Sequence, residues 1–159
     1  MKIIVFSDSH GRINALDKIY QCHSDAGYYV HLGDGYSDVC TMRSRYPDIK
    51  LSSVKGNTDF TSPENYSKIL KIYGKNILCT HGHLVSVKLG LEQLRTYAKS
   101  VDANIVLFGH THKPCYDFNE GIHYLNPGSA AESGYYQFGI IDITEQSVAC
   151  TLSKIDSRI

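Results

Sequence analysis

The apolar residues of this chain fall in short runs, and each run ends in glycine or polar residues. Ile3, Ile4, Val5 and Phe6 form an unbroken β-branched and aromatic stretch, the pattern of a strand covered on both faces. The period then changes: Ile13, Leu16, Ile19 and Tyr20 recur at helical spacing, so 13–22 reads as a helix. Strand-like runs resume at 28–32 and 49–54. This β-α-β order predicts parallel strands joined by helical crossovers.

The second half has a different texture. Two strand-like stretches, 69–73 and 76–80, sit either side of Gly74 and Lys75 and read as a hairpin. Residues 84–99 read as mainly helical, with Leu91, Leu94, Tyr97 and Ala98 on one face, and 104–108 is another apolar strand. Short strands at 115–118, 122–125, 137–143 and 147–152 follow. An α/β beginning and a β-rich end predict a mixed α/β (α+β) domain with two packed sheets. No linker, repeat or charged tail divides the sequence, so 1–159 is expected to form a single domain.

Composition narrows the class. The chain has 159 residues, enough to bury a core without covalent staples. Sixteen Lys plus Arg balance sixteen Asp plus Glu, which argues against a nucleic-acid partner bound through broad cationic surface. Five widely spaced cysteines, Cys22, Cys40, Cys79, Cys115 and Cys150, suit reduced thiols better than a disulfide framework. The apolar start is broken by Asp8 and His10, too early for a signal-peptide core or a membrane span. A cytoplasmic protein with no membrane partner is the expectation.

The chemistry lies where the apolar runs stop. Asp8 and His10 follow the first run, and Asp34, between Gly33 and Gly35, follows the second. Gly56 and Asn57 follow the third; His81 and His83 follow 76–80; His110 and His112 follow 104–108. Each motif alone has an ordinary explanation, since Gly-Asp-Gly makes a turn and a lone His after a strand is commonly a hydrogen-bonded structural residue. His81 and His83 alternate in an extended segment, so only one of them need face a given site. The same holds for His110 and His112 unless Thr111 sits at a bend. Five such endings in one small domain are harder to explain as turns, and in α/β sheets ligands gather beyond the carboxyl ends of strands. Carboxylate, carboxamide and imidazole without thiolate suit Mn, Fe, Co, Ni or Zn, and exceed what one tetrahedral ion needs. Asp8 and Asp34 would offset only half the charge of two divalent cations, leaving a pocket fit for an anionic substrate such as a phosphate ester.

In order, SDSHG at 7–11, GDG at 33–35, GNTD at 56–59, THGH at 80–83 and GHTH at 109–112 resemble the calcineurin-like metallophosphoesterase superfamily. NPGS at 126–129 and the short length resemble its small single-domain YfcE-type phosphodiesterases. The resemblance implies a four-layer α/β/β/α sandwich of two mixed sheets flanked by helices. It implies two divalent ions, Mn first and Ni, Fe, Co or Zn as alternatives. Asp8, His10, Asp34 and His112 would hold one ion; Asp34 would bridge to a second held by Asn57, His81 and His110. A hydroxide between the ions would attack a small phosphate diester, and Asn57 would also touch a phosphoryl oxygen. Related activities, a phosphomonoesterase or nuclease, stay open, as does a non-catalytic scaffold like the retromer small subunit.

Many relatives carry His directly after the Gly-Asn pair as the leaving-group acid; here Thr58 stands there, and a hydroxyl cannot replace imidazole. His83 is the substitute acid to weigh against an outer structural role. Ala130, Ala131 and Glu132 replace a basic residue expected after NPGS. Arg12 is read as solvated or capping rather than phosphate-binding, and His23, His31 and His123 as structural. The pairs Tyr28-Tyr29 and Tyr135-Tyr136 are assigned to core packing, with a homo-oligomer interface as the alternative.

Overall fold

A computed structural model of the chain describes residues 1–158. In chain order the elements are β1 (Lys2–Phe6), α1 (Ile13–Cys22), β2 (Tyr28–His31), α2 (Tyr36–Arg45), β3 (Leu51–Ser53), β4 (Ser67–Ile72) and β5 (Lys75–Thr80). A short 3-10 turn (His83–Val85) leads to α3 (Glu92–Ser100), β6 (Ile105–Leu107), β7 (Cys115–Asn119), β8 (Ile122–Asn126), β9 (Tyr135–Ile143) and β10 (Val148–Asp156).

The strands form two five-stranded mixed sheets, ordered β10-β9-β1-β2-β3 and β4-β5-β6-β8-β7. In the first, β1 pairs parallel with β2 and antiparallel with β9. In the second, β6 pairs parallel with both β5 and β8. Alternation of side chains across the pleat explains the unbroken apolar run at the N-terminus. Ile3 and Val5 point between the sheets, where they meet Val30, Leu32, Ile77, Ile105, Leu107 and Leu125. Ile4 and Phe6 point the other way, onto Leu16 and Ile19 of α1 and Val39 and Met42 of α2. On the second sheet, Leu78, Val106 and Tyr124 pack against Leu94 and Ala98 of α3. The layers are therefore helix, sheet, sheet, helix. Among the described residues no helix is long and apolar enough to cross a membrane.

Three details differ from the pattern. Residues 84–99 are not one helix: the backbone turns left-handed at Ser86 (φ 51°) and Gly90 (φ 148°), and α3 begins only at Glu92. Helix α2 escapes the pattern because its only buried apolar side chains are Val39 and Met42, beside the polar Asp38. The third strand is shorter than its run, since only Leu51–Ser53 meets the ladder of β2. The tyrosine pairs divide: Tyr29 is buried in the core cluster beneath the helices and Tyr136 packs against that same cluster, whereas Tyr135 is exposed under Lys154.

Candidate metal centre

The parallel strands β1, β2, β5 and β6 all run in the direction that puts their carboxyl ends on one rim, and the loops leaving that rim are unusually bent. Nine non-glycine residues among those described have positive φ, and five of them are Asp8, His10, Asp34, His110 and His112. Such conformations cost about a kcal/mol or more each for most residues and persist where the surroundings enforce them. Here they aim consecutive polar side chains at one place. Thr111 does sit at a bend, its N–H donating to Gly109 O at 2.8 Å, and His110 and His112 on either side both face the site.

Two groups result. Asp8, His10 and His112 bring one ligand atom each within 4.8 Å of one another, and so do Asp34, His81 and His110. His112 Nε2 lies 3.1 Å from Asp8 Oδ1 and 3.4 Å from His10 Nε2. His81 Nε2 lies 3.0 Å from Asn57 Oδ1 and 3.1 Å from His110 Nδ1. Asp34 Oδ2 stands between the groups, 3.5 Å from His81 Nε2 and 4.0 Å from His10 Nε2. All seven residues singled out from the sequence as ligands thus meet at one rim. Asp8 and His81 are fully buried, while His10 and His112 open to solvent.

The hydrogen bonding orients lone pairs inward. His81 Nδ1 donates to Leu32 O at 2.8 Å, which leaves Nε2 as the inward lone pair. Asp8 Oδ2 accepts from Ser7 Oγ and from the His110 N–H, but Asp8 Oδ1 is buried without any hydrogen-bond donor. A buried carboxylate oxygen left so costs about 1–3 kcal/mol or more, and a cation removes the penalty. The donor set of oxygens and imidazole nitrogens fits divalent metals of the Mn-to-Zn series.

Electrostatics agree. Burial tends to raise the Asp34 carboxyl, but His81 and the Thr58 N–H outweigh it and hold it well below the usual carboxylate range. Burial pulls His81 down while Asp34 and Asp8 pull it up, with a net rise. His110 is pushed down to about 4 by burial first and by His81 next, so its ring stays neutral and able to ligate.

Sequence comparison places this geometry. Residues 1–146 match the calcineurin-like phosphoesterase superfamily domain. The chain belongs to that superfamily. The probable metallophosphoesterase YsnB of Bacillus subtilis is 31% identical over 131 residues, covering 81% of this chain and 75% of its own. The phosphodiesterase YfcE of Escherichia coli is 26% identical over 156 residues, covering 82% of this chain and 80% of its own. Among solved structures, Vps29 of Entamoeba histolytica complexed with zinc superposes with a TM-score of 0.76 at 22% identity, covering 98% of this chain and 99% of that one. That last likeness concerns the fold.

This calcineurin-like phosphoesterase domain also carries a bracing layer that motif reading passed over. Asp59 accepts four backbone N–H groups: Asp34 at 2.7 Å and Gly56 at 2.9 Å on Oδ2, Gly35 at 3.0 Å and Tyr36 at 2.9 Å on Oδ1. One carboxylate thus ties the GDG loop to the GNTD loop. The loops approach so closely that a Cβ on Gly56 would collide with Asp34 Oδ1. The signal was present, since Asp59 ends the GNTD motif. A second brace runs from His31. Its Nδ1 accepts from the Gly33 N–H at 3.2 Å, so Nε2 carries the proton and donates to Ser9 Oγ at 3.0 Å. Ser9 Oγ in turn donates to Asp38 Oδ2 at 2.6 Å, which also accepts from Gly11 N–H. These residues resemble a Ser-His-Asp set by type, but Ser9 is fully buried and its proton is committed to a carboxylate. Asn126 Nδ2 pins the GHTH loop by donating to Gly109 O at 2.9 Å and Thr111 Oγ1 at 3.0 Å. Ser129 Oγ donates to Asp8 O.

The remaining residues of interest lie as follows. Thr58 is exposed at the rim, its N–H bonded to Asp34 Oδ1 at 2.9 Å. The His83 ring centroid is 5.4 Å from that of His81 and 6.0 Å from that of His110, and His83 Nδ1 is buried without a partner. Burial and then His81 hold its pKa below the ordinary value, a direction that runs against a resting proton donor. Arg12 precedes α1 as its N-cap residue and is exposed, with no side-chain cap bond.

Proposed function

We propose that this chain is a dinuclear, divalent-metal phosphoesterase acting on small phosphate diesters. The observation that carries it is the buried Asp8 Oδ1, which has no hydrogen-bond partner and lies within 4 Å of three imidazole nitrogens, those of His10, His81 and His112, at the strand-end rim. Asp8, His10, Asp34 and His112 would hold one ion, and Asp34, Asn57, His81 and His110 the other. Mn is the first choice, with Ni, Fe, Co or Zn compatible with the same donors. Two such ions, when bound, supply an activated water and offset charge on the phosphoryl oxygens. Asn57 Nδ2 has no acceptor in the protein among the described residues, which leaves it free to donate to a phosphoryl oxygen. Thr58 stays neutral at any working pH and delivers no proton, so the leaving alcohol departs unassisted from this position. Esters of acidic alcohols are therefore the better substrates. Kinship to a protein named as a phosphodiesterase supports the diester class. A soluble small diester in the cytoplasm remains the expected setting.

The test is hydrolysis of bis-p-nitrophenyl phosphate. Activity is expected with added Mn or Ni, and less than a hundredth of it in Asp34→Ala. A second reading, a metal-binding scaffold, is favoured by the fold shared with Vps29. Stoichiometric metal binding with no turnover of any mono- or diester supports the scaffold instead.

A further inference from the structure

A cleft of about 490 Å³ opens directly off the ligand cluster, with His10 and Asp34 at one end. Its walls are Tyr36 and Cys40 from the first half of helix α2, and Thr58 and Phe60 from the segment after Gly56. The lining contains no lysine or arginine among the described residues, and its one further carboxylate, Asp59, is saturated by backbone N–H groups. Lys88 and Lys113 instead line a separate cleft of about 510 Å³. A neutral group is thus suited to the first cleft and an anionic one to the second.

Phe60 is the odd residue. It is 85% exposed, yet its backbone is fixed: its N–H donates to Thr58 O at 3.1 Å, and Asp59 beside it is clamped. A phenyl ring held in water at the mouth of a metal cleft has no packing role in the protein. Tyr36, half-buried, lines the same space. We infer that this cleft receives one ester arm of the substrate and that the arm is a planar aromatic group, aryl or nucleobase, seated against Phe60 and Tyr36. The inference rests on the phosphoesterase reading and specifies its substrate class. Stacking of a flat ring on an aromatic side chain contributes about 1–3 kcal/mol, which brackets a preference on the order of ten-fold.

Phenylphosphonate and methylphosphonate share the metal-seeking group and differ only in the arm. Calorimetry on the Mn-loaded protein is expected to show phenylphosphonate binding about ten-fold tighter. Phe60→Ala should erase most of that preference and change methylphosphonate affinity less than two-fold. Because Phe60 is exposed, the variant should fold normally; an unchanged melting curve checks this. In parallel, kcat/KM for phenyl p-nitrophenyl phosphate should exceed that for methyl p-nitrophenyl phosphate, with one leaving group in both, and Phe60→Ala should level them. Equal affinity for both phosphonates, or equal weakening of both by Phe60→Ala, overturns the aromatic subsite while leaving the phosphoesterase reading intact. No binding of either phosphonate and no turnover of either ester overturns both.

Discussion

Asp59 gives the sharpest test of how the site is held. Its two oxygens accept four backbone N–H groups from the loops that carry Asp34 and Asn57. Replacing it with alanine strands those donors; Asp34, Gly35 and Gly56 are buried, whereas Tyr36 can turn to water. At about 1–3 kcal/mol per stranded buried donor, less what loop relaxation recovers, the loss comes to about 3–5 kcal/mol. That is a large share of the ~5–15 kcal/mol that holds a domain of this size together. Asparagine, nominally conservative, should do little better. Its one carbonyl oxygen can serve one pair of N–H groups, while its own amide N–H groups face the other pair. Urea unfolding of the metal-free protein at pH 7 measures this directly. Both variants should lose about 3–5 kcal/mol, and Asp59→Asn should lie within about 1 kcal/mol of Asp59→Ala. An Asn variant as stable as the wild type would refute the clamp.

Other expectations follow from neighbouring residues. Burial pushes His31 down to about 4, so between its unfolded value near 6.5 and that value the unfolded chain binds the extra proton, and stability falls with falling pH. From pH 7 to pH 5 the wild type should lose about 2 kcal/mol more than His31→Gln in urea titrations; parallel losses would contradict the neutral, buried ring. Thr58→His restores an imidazole at the exposed rim position and should raise kcat on alkyl diesters at least ten-fold relative to aryl diesters; an unchanged ratio counts against a missing acid. Mn at a hundred times its dissociation constant should raise unfolding free energy by about 2.7 kcal/mol per site, and a melting temperature insensitive to Mn and to chelator would oppose a built metal centre.

The sequence made the site more legible than the scaffold beneath it. Ligands stand out because a polar residue at the end of an apolar run breaks the local pattern, and Asp8, Asp34 and His81 each do so. Both inner and outer faces of β1 could be read from Ile3 to Phe6 because burial on two sides removes the polar alternation. Helix α2 was hidden by its composition: two apolar side chains give no clear period. The break at 86–91 was hidden because Val85, Val87, Leu91 and Leu94 keep an apolar rhythm while Ser86 and Gly90 turn the chain. The bracing residues were the hardest to find. Asp59 acts on backbone groups 24 and 25 residues away, a relation that no local pattern records. His31 reads as a strand residue until Ser9 and Asp38 close around it.

The most direct test is a crystal of the protein grown with Mn and measured at the Mn absorption edge. Two anomalous peaks about 3.5–4 Å apart are expected, one beside Asp8, His10 and His112, the other beside Asn57, His81 and His110, with Asp34 touching both. A single peak, or peaks away from Asp34, would contradict a paired-metal centre.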